Sequence, residues 1–311
     1  MARKNTYLNS GEVVNVMKRV LITGADSYVG TSVENWLKKT PDEFHVDTVD
    51  TFGDNWKQAD FTRYDVVFHV AGIAHVDAKS SMEPLYRKVN TDLTLEIARY
   101  AKGHGVKQFI FMSSMIVYKE SKSLKPNVIT SQTQPSPNNF YGDSKLQAEI
   151  GLEELRNEQF KVVILRPPMI YGPNCKGNFM RLAKLGTITP IFPAFHNKRS
   201  MLYIDNLAEF VKCAILRDID GIYHPQNREF GDTVEIVRIF AEQNHHKIYF
   251  FRWLNIFVYL GTPFLAAINK MFADSYYVPE MSKVDFDYQI VSAKESFQNI
   301  DVGNASLMQM K

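Results

Sequence analysis

Cysteine, tryptophan and any excess of one charge are what this sequence has least of. Its two cysteines, Cys175 and Cys213, stand far apart in 311 residues and form no CxxC spacing. A disulfide framework is therefore excluded, and the pattern fits a reducing compartment, so a cytoplasmic protein is expected. A formal charge of only +2 leaves no strong polyanion-binding balance, and nucleic acid is not an expected partner. The first sixteen residues contain no apolar core of signal-peptide length. Met17 opens MKRVLITG, in which a strand begins at once, so 1–16 reads as a disordered extension or a start-codon artefact. No run is long enough to span a membrane. The most apolar one, Trp253 to Ile268, is too short and is broken by Gly261 and Pro263. It is read as a buried helix pair, with contact to a membrane surface as the other reading. His245 and His246 are adjacent without metal-ligand spacing, so no metal is expected there.

What is present suits one large α/β unit with a second lobe. Short apolar strands are expected at Arg19–Thr23, His45–Val49, Val66–Val70, Gln108–Met112 and Lys161–Leu165. Between them lie helical patterns at Gly30–Lys39, Pro84–His104 and Tyr141–Glu158. This alternation predicts a Rossmann-type, doubly wound parallel sheet. Residues 17–172, with a return of 205–228, would form the dinucleotide-binding part. A smaller mixed C-terminal substrate lobe would take 173–204 and 229–311. Trp36 and Trp56 read as core or loop anchors, and Cys175 as a packing residue.

The stretch LITGADSYVG, residues 21–30, follows a strand and opens a helix, the setting of a phosphate-binding turn. Gly24 can make the tight turn and Gly30 the close helix–strand packing, while Tyr28 and Val29 open the helix whose first amides would face a pyrophosphate. Ser27 stands where the middle glycine of the spacing belongs; its hydroxyl could itself donate to phosphate. An ordinary two-glycine turn explains the stretch alone about as well. Asp50 ends the second strand, where a carboxylate can accept the ribose hydroxyls, with Asp47 less well placed. A carboxylate there repels a 2′-phosphate, which favours NAD while leaving NADP open.

Tyr141 and Lys145 in YGDSK are four apart and emerge on one helix face. A tyrosine titrates near ~10, and a neighbouring ammonium favours its phenolate. The same spacing also describes a solvated face. The surrounding segments decide: VLITGADSYVG, VVFHVAGIAH, FIFMSSMIVY, YGDSKLQAE, VVILRPPMIYGP and RSMLYIDNLAEF occur in order. From about Lys18 to Pro225 the chain resembles the extended short-chain dehydrogenase/reductases that modify nucleotide sugars, the UDP-galactose 4-epimerase type. The resemblance implies that Ser114 holds the sugar oxygen, Tyr141 is the acid/base, and Lys145 binds the nicotinamide ribose and lowers the tyrosine pKa. It further implies that Asp60 and Phe61 border adenine, that Ala71 and Gly72 line the cofactor, and that Pro167 flanks the nicotinamide. Arg199 falls where such enzymes place a diphosphate arginine, and Asn178 would contact the nucleotide. Asn90 corresponds to a buried helix asparagine with a structural or a catalytic role.

Met115 and Ile116 follow Ser114, where related dehydratases, decarboxylating enzymes and 3,5-epimerising reductases carry acids or a cysteine by the same resemblance. Neither side chain can move protons. The expected activity is therefore an NAD-dependent 4-epimerisation of a UDP-sugar through a 4-keto intermediate. Reduction of a 4-keto sugar with NAD(P)H, yielding a deoxy-acetamido nucleotide sugar for surface polysaccharide, is the alternative. A non-catalytic dinucleotide-binding protein is a third reading. A homodimer through helices around Asp92–Tyr100 and Lys145–Leu155 is expected by analogy.

Overall fold

The structure, a computed structural model, describes residues 17–73, 80–120, 123–262 and 264–302, so the N-terminal extension lies outside the described residues. Six parallel strands form the central sheet: β1 (Lys18–Thr23), β2 (Phe44–Val49), β3 (Val66–His69), β4 (Gln108–Met112), β5 (Lys161–Leu165) and β6 (Gly221–Tyr223). Their order across the sheet is β6-β5-β4-β3-β1-β2. The order reverses at β1, which places a crevice above the carboxyl ends of β1 and β3. Five strands coincide with the expected ones to within a residue.

Alternation along each strand divides the core between the two faces of the sheet. Val20, Ile22, Phe68, Ile110 and Val163 pack in one cluster, and Leu21, Val67, Phe109, Phe111 and Ile164 in the other. The first cluster is closed by α1 (Tyr28–Leu37) and by a helix at Ile204–Leu216, joined where the Trp36 indole N–H donates to Glu209 at 2.7 Å. The second is closed by α2 (Leu93–Gly103) and α3 (Phe140–Leu155). Trp56 is wholly buried there, its ring edge-on to Tyr100 at 5.3 Å.

The helix expected over 84–104 is present from Glu83 to Gly103 with a feature the sequence did not show: Glu83–Tyr86 is α-helical, Arg87–Asp92 is a π-helical turn, and the α-helical hydrogen bonding of α2 resumes at Leu93. The cause is Asn90, whose amide oxygen accepts from the Ile73 N–H at 2.8 Å and whose NH2 donates to the Ile73 carbonyl and to Ser144. Holding that side chain inward widens the backbone ring, and π turns of this kind gather at functional sites. One expectation is corrected here: the apolar segment 253–268 is not a buried pair. Its helices, α4 (Asn255–Gly261) and α5 (Ala266–Phe272), leave Trp253, Phe257, Leu260 and Phe264 exposed.

One buried and one partly buried imidazole contribute to the acid response of the fold. His69 lies between the Thr23 hydroxyl at 2.6 Å and the Thr94 hydroxyl at 2.9 Å, and burial, helped by the Lys145 charge, pulls its pKa down to about 3. His224, bonded to the Tyr118 phenol at 3.0 Å, is pulled down to about 4 by burial and by Arg166. An unfolded imidazole takes its proton near ~6.5, so between these values the unfolded chain binds more protons and stability falls as pH falls. Each histidine is expected to remove about 2 kcal/mol of folding stability between pH ~7 and ~5. Urea midpoints measured across that range check this, and a His69→Gln/His224→Gln double variant should flatten the slope; an unchanged slope refutes it.

Candidate active site

The phosphate-type turn sits between β1 and α1. Gly24 has φ +102°, and a Cβ there would lie 2.8 Å from the Ala71 backbone nitrogen, so the turn closes onto the strand-end of β3 only with glycine. The N–H groups of Gly24 and Ala25 donate to the Val49 carbonyl, which sets Asp50 beside the turn. Ser27 is the N-cap of α1; its oxygen accepts the Gly30 N–H at 3.0 Å, leaving the hydroxyl proton for a ligand. The missing middle glycine is thus replaced by a helix cap. The neighbouring Tyr28 is partly buried, and its hydroxyl has no hydrogen-bond partner among the described residues.

The acids separate clearly. Asp47 accepts from the Tyr64 hydroxyl at 2.8 Å and pairs with His45, so it belongs to the scaffold. Asp50 is exposed and holds only the Phe52 amide at 2.9 Å. Asp60 is also exposed and caps a short turn through Thr62, whose hydrogen bonds hold its carboxyl below the ordinary range. The Phe61 ring is wholly buried, 5.0 Å from Tyr100 and 6.1 Å from Trp56, so its side chain packs the core and leaves the backbone as the part of the residue that could border a base.

A cavity of about 560 Å³ gathers Val29, Gly72, Ser114, Tyr141, Lys145, Pro167 and Asn178 from six separate stretches of chain. Ser114 begins a single turn (Met115–Val117) and is fixed by the Met115 N–H donating to the Pro167 carbonyl at 2.8 Å. Asn139 caps α3 by accepting the Gly142 N–H at 2.8 Å, which presents Tyr141 in the helix's first turn. Ser114 hydrogen-bonds the Tyr141 phenol and draws its pKa downward, but burial dominates and pushes it up to about 12. Lys145, one turn on, donates to the Met112 carbonyl at 2.9 Å. Burial pulls its ammonium down to about 8, with the Glu149 charge opposing. Burial outweighs Ser114 in setting the Tyr141 phenol here, and Lys145 stands one helical turn on along the same face.

Asn90 sits directly behind this wall. A Cβ on Gly72 would fall 2.9 Å from its amide oxygen and 3.2 Å from the Lys145 ammonium, so the backbone must pass there bare. With every polar atom of Asn90 engaged, its structural role is the one the geometry supports.

Arg199 does not line the main cavity. It lines a second one of about 200 Å³ that shares Met169, Asn178, Arg181 and Lys270 with the first. Its guanidinium donates to the Lys270 carbonyl, and burial depresses its pKa while Glu120 opposes. Lys176, Arg181 and Lys270 escaped sequence reasoning. Lys176 and Arg181 flank the start of a helix (Asn178–Ile188), where the dipole favours anions over cations; that misplacement is a legible signal. Lys270 lies in an apolar helix and gave none. Among the residues lining the two cavities there is no carboxylate, imidazole or thiol. Cys175 is buried with its thiol pKa raised, and it serves packing.

A doubly wound parallel sheet with a glycine turn at its switch point and Ser114, Tyr141 and Lys145 around one cavity defines a dinucleotide-binding enzyme of the extended short-chain dehydrogenase/reductase class. The chain belongs to the NAD dependent epimerase/dehydratase family, whose model matches residues 20–226. It is 35% identical over 219 residues to the UDP-glucose 4-epimerase of Vibrio cholerae, covering 64% of this chain and 66% of that one. It is 30% identical to the N-acetyl-alpha-D-glucosaminyl-diphospho-ditrans,octacis-undecaprenol 4-epimerase of Escherichia coli O157:H7, covering 72% of this chain and 70% of the relative. The matched segments thus span about two thirds of the length of these relatives. The UDP-glucuronic acid 4-epimerase of Bacillus cereus, solved with NAD, shares the fold at a TM-score of 0.68 and 18% identity, covering 93% of this chain and 99% of that one. The residues present fit the family's dinucleotide: a bare turn at Gly24, a helix N-terminus, a carboxylate at Asp50, and Gly72 beside Lys145.

Proposed function

We propose that the protein is a UDP-sugar 4-epimerase. One observation carries this reading: among the described residues of the cavity wall, Tyr141, hydrogen-bonded to Ser114, is the side chain suited to proton transfer besides Lys145. Dehydration or epimerisation at other carbons needs further acids or bases in the cavity, and a single proton exchanged at one carbinol does not.

NAD, when bound, would supply the hydride-accepting and hydride-donating chemistry at the sugar carbon. Ser114 would hold the sugar 4-oxygen, and Tyr141, as the phenolate that the neighbouring Lys145 ammonium favours, would take its proton as the carbonyl forms. Once the 4-keto sugar has presented its other face, Tyr141 gives the proton back to the 4-oxygen. Lys145 keeps a positive charge behind this exchange, and Asp50 would hold the ribose hydroxyls. Lys176, Arg181, Arg199 and Lys270 surround the joined cavities with positive charge suited to a diphosphate.

The protonated Tyr141 phenol, held up to about 12, favours a second reading, in which the same site delivers one proton to a 4-keto sugar as a reductase. The Escherichia coli relative's name brings a polyprenyl-diphosphate sugar in as an alternative to a UDP-sugar. The apolar wall of the second cavity, with Leu182, Met201 and Ile236, would suit a lipid-borne diphosphate.

Denaturing the purified protein and identifying the released nucleotide tests the reading. Near-stoichiometric NAD, with UDP-glucose and UDP-galactose or their N-acetylated forms interconverted without added cofactor, is expected. Turnover that consumes added reduced cofactor and requires a 4-keto sugar supports the reductase. Absence of both dinucleotide binding and turnover overturns both.

A further inference from the structure

Nine of the nineteen large apolar side chains that stand exposed among the described residues fall within 249–265. Soluble monomers scatter such residues and seldom gather them into one patch. Here their rings run in sequence: Tyr249 lies 6.5 Å from Phe251, Phe251 6.1 Å from Trp253, and Trp253 6.2 Å from Phe257. Phe264 at the turn between α4 and α5 is 84% exposed, which no internal packing requirement explains.

The charges within this segment are one-sided. Between Glu242, which lines a cleft with Lys247 and Tyr249, and Asp274 the chain holds no aspartate or glutamate, yet it carries Lys247, Arg252 and Lys270. Lys247 and Arg252 are exposed. Neither helix is long enough to cross a membrane. A short apolar face rich in tryptophan and tyrosine and bordered by cations fits the plane of a lipid interface. A second copy of this chain fits less well, because a two-fold contact would set Arg252 and Lys247 against their own like charges. The face is also continuous with the cavities: α5 contributes Ala267, Lys270 and Met271 to the second cavity.

We propose that the exposed face at 249–265 docks on an anionic lipid bilayer, holding a wall of the second cavity at the head-group level. Docking is a property of this surface alone and does not depend on the reaction proposed above.

The test is sedimentation of the full chain with vesicles, either pure phosphatidylcholine or equimolar phosphatidylcholine and phosphatidylglycerol. Strong pelleting with the anionic vesicles and weak pelleting with the neutral ones is expected. Trp253→Ser/Phe257→Ser should lower vesicle affinity at least about tenfold. Arg252→Glu, which spares the apolar surface, should weaken binding to the anionic vesicles selectively. Circular dichroism melts confirm that each variant is folded. The proposal is overturned if the unaltered protein stays in the supernatant with both vesicles, or if folded variants bind as well as it does. A solution dimer that the Trp253→Ser/Phe257→Ser change dissociates would instead give this face to a second copy and overturn it too.

Discussion

Tyr141→Phe is expected to lower kcat about 10³-fold, within the ~10²–10⁴ range of a lost general acid/base, while leaving bound cofactor and thermal stability nearly unchanged. The size follows from the lack of a substitute among the described residues lining the cavity, which include no carboxylate, imidazole or thiol that could take over the proton. Stability is spared because the substitution keeps the ring, which packs edge-on to Tyr86 at 6.1 Å, and removes only the hydroxyl. Ser114 keeps a partner, since its oxygen also accepts the Ile116 N–H at 3.3 Å. Single-turnover kinetics, with the bound nucleotide measured beside them, separate the outcomes. Loss of rate with cofactor retained supports the acid/base role. An unchanged rate refutes it, and a protein with no rate to lose is the non-catalytic dinucleotide binder. Ser114→Ala belongs to the same measurement: losing the hydrogen bond that lowers the phenol should move its titration further upward.

β1, β3, β4 and β5 were legible because each is a short, nearly continuous apolar run, as strands covered on both faces must be, whereas the edge strand β2 showed by alternation and the three-residue β6 gave no such signal. Tyr141 and Lys145 were legible because helical spacing alone puts them on one face. The π turn at Arg87–Asp92 was not, since it depends on Asn90 reaching the Ile73 backbone, a contact between segments far apart in sequence. Phe61 shows the same limit. Its position beside Asp60 suited a base-binding border, but only packing against Trp56 and Tyr100 reveals that the ring turns inward. At 253–268 hydrophobicity was read as burial. The two separate when an apolar face has no partner within the chain, and no periodicity within so short a run reports that.

Glu149→Gln is expected to cost about 3–5 kcal/mol of folding stability, because it strands a buried guanidinium. The Glu149 carboxylate, 2% exposed, takes Arg166 at 2.6 Å and also the Ser113 hydroxyl. Arg166 donates onward to the Tyr118 hydroxyl at 2.8 Å, which meets His224, while its own carbonyl receives the Tyr277 hydroxyl at 2.9 Å. The pair therefore ties the strand carrying Ser113 and Ser114 to α3, and α3 carries Tyr141, Lys145 and Glu149 at successive four-residue steps along one face. A Glu149→Leu/Arg166→Met double variant should regain most of the loss, since no charge is then left alone in the interior. Urea unfolding of both variants checks this, and equal losses in the two would refute the ion pair as the cause. The single variant carries a second signature that lost packing alone would not produce. Glu149 opposes the burial that lowers Lys145, so removing its charge should let the lysine titrate below about 8 and move the loss of cofactor affinity to lower pH. Cofactor titrations at successive pH values would read that shift directly, linking the buried pair to the state of the lysine beside the reacting tyrosine.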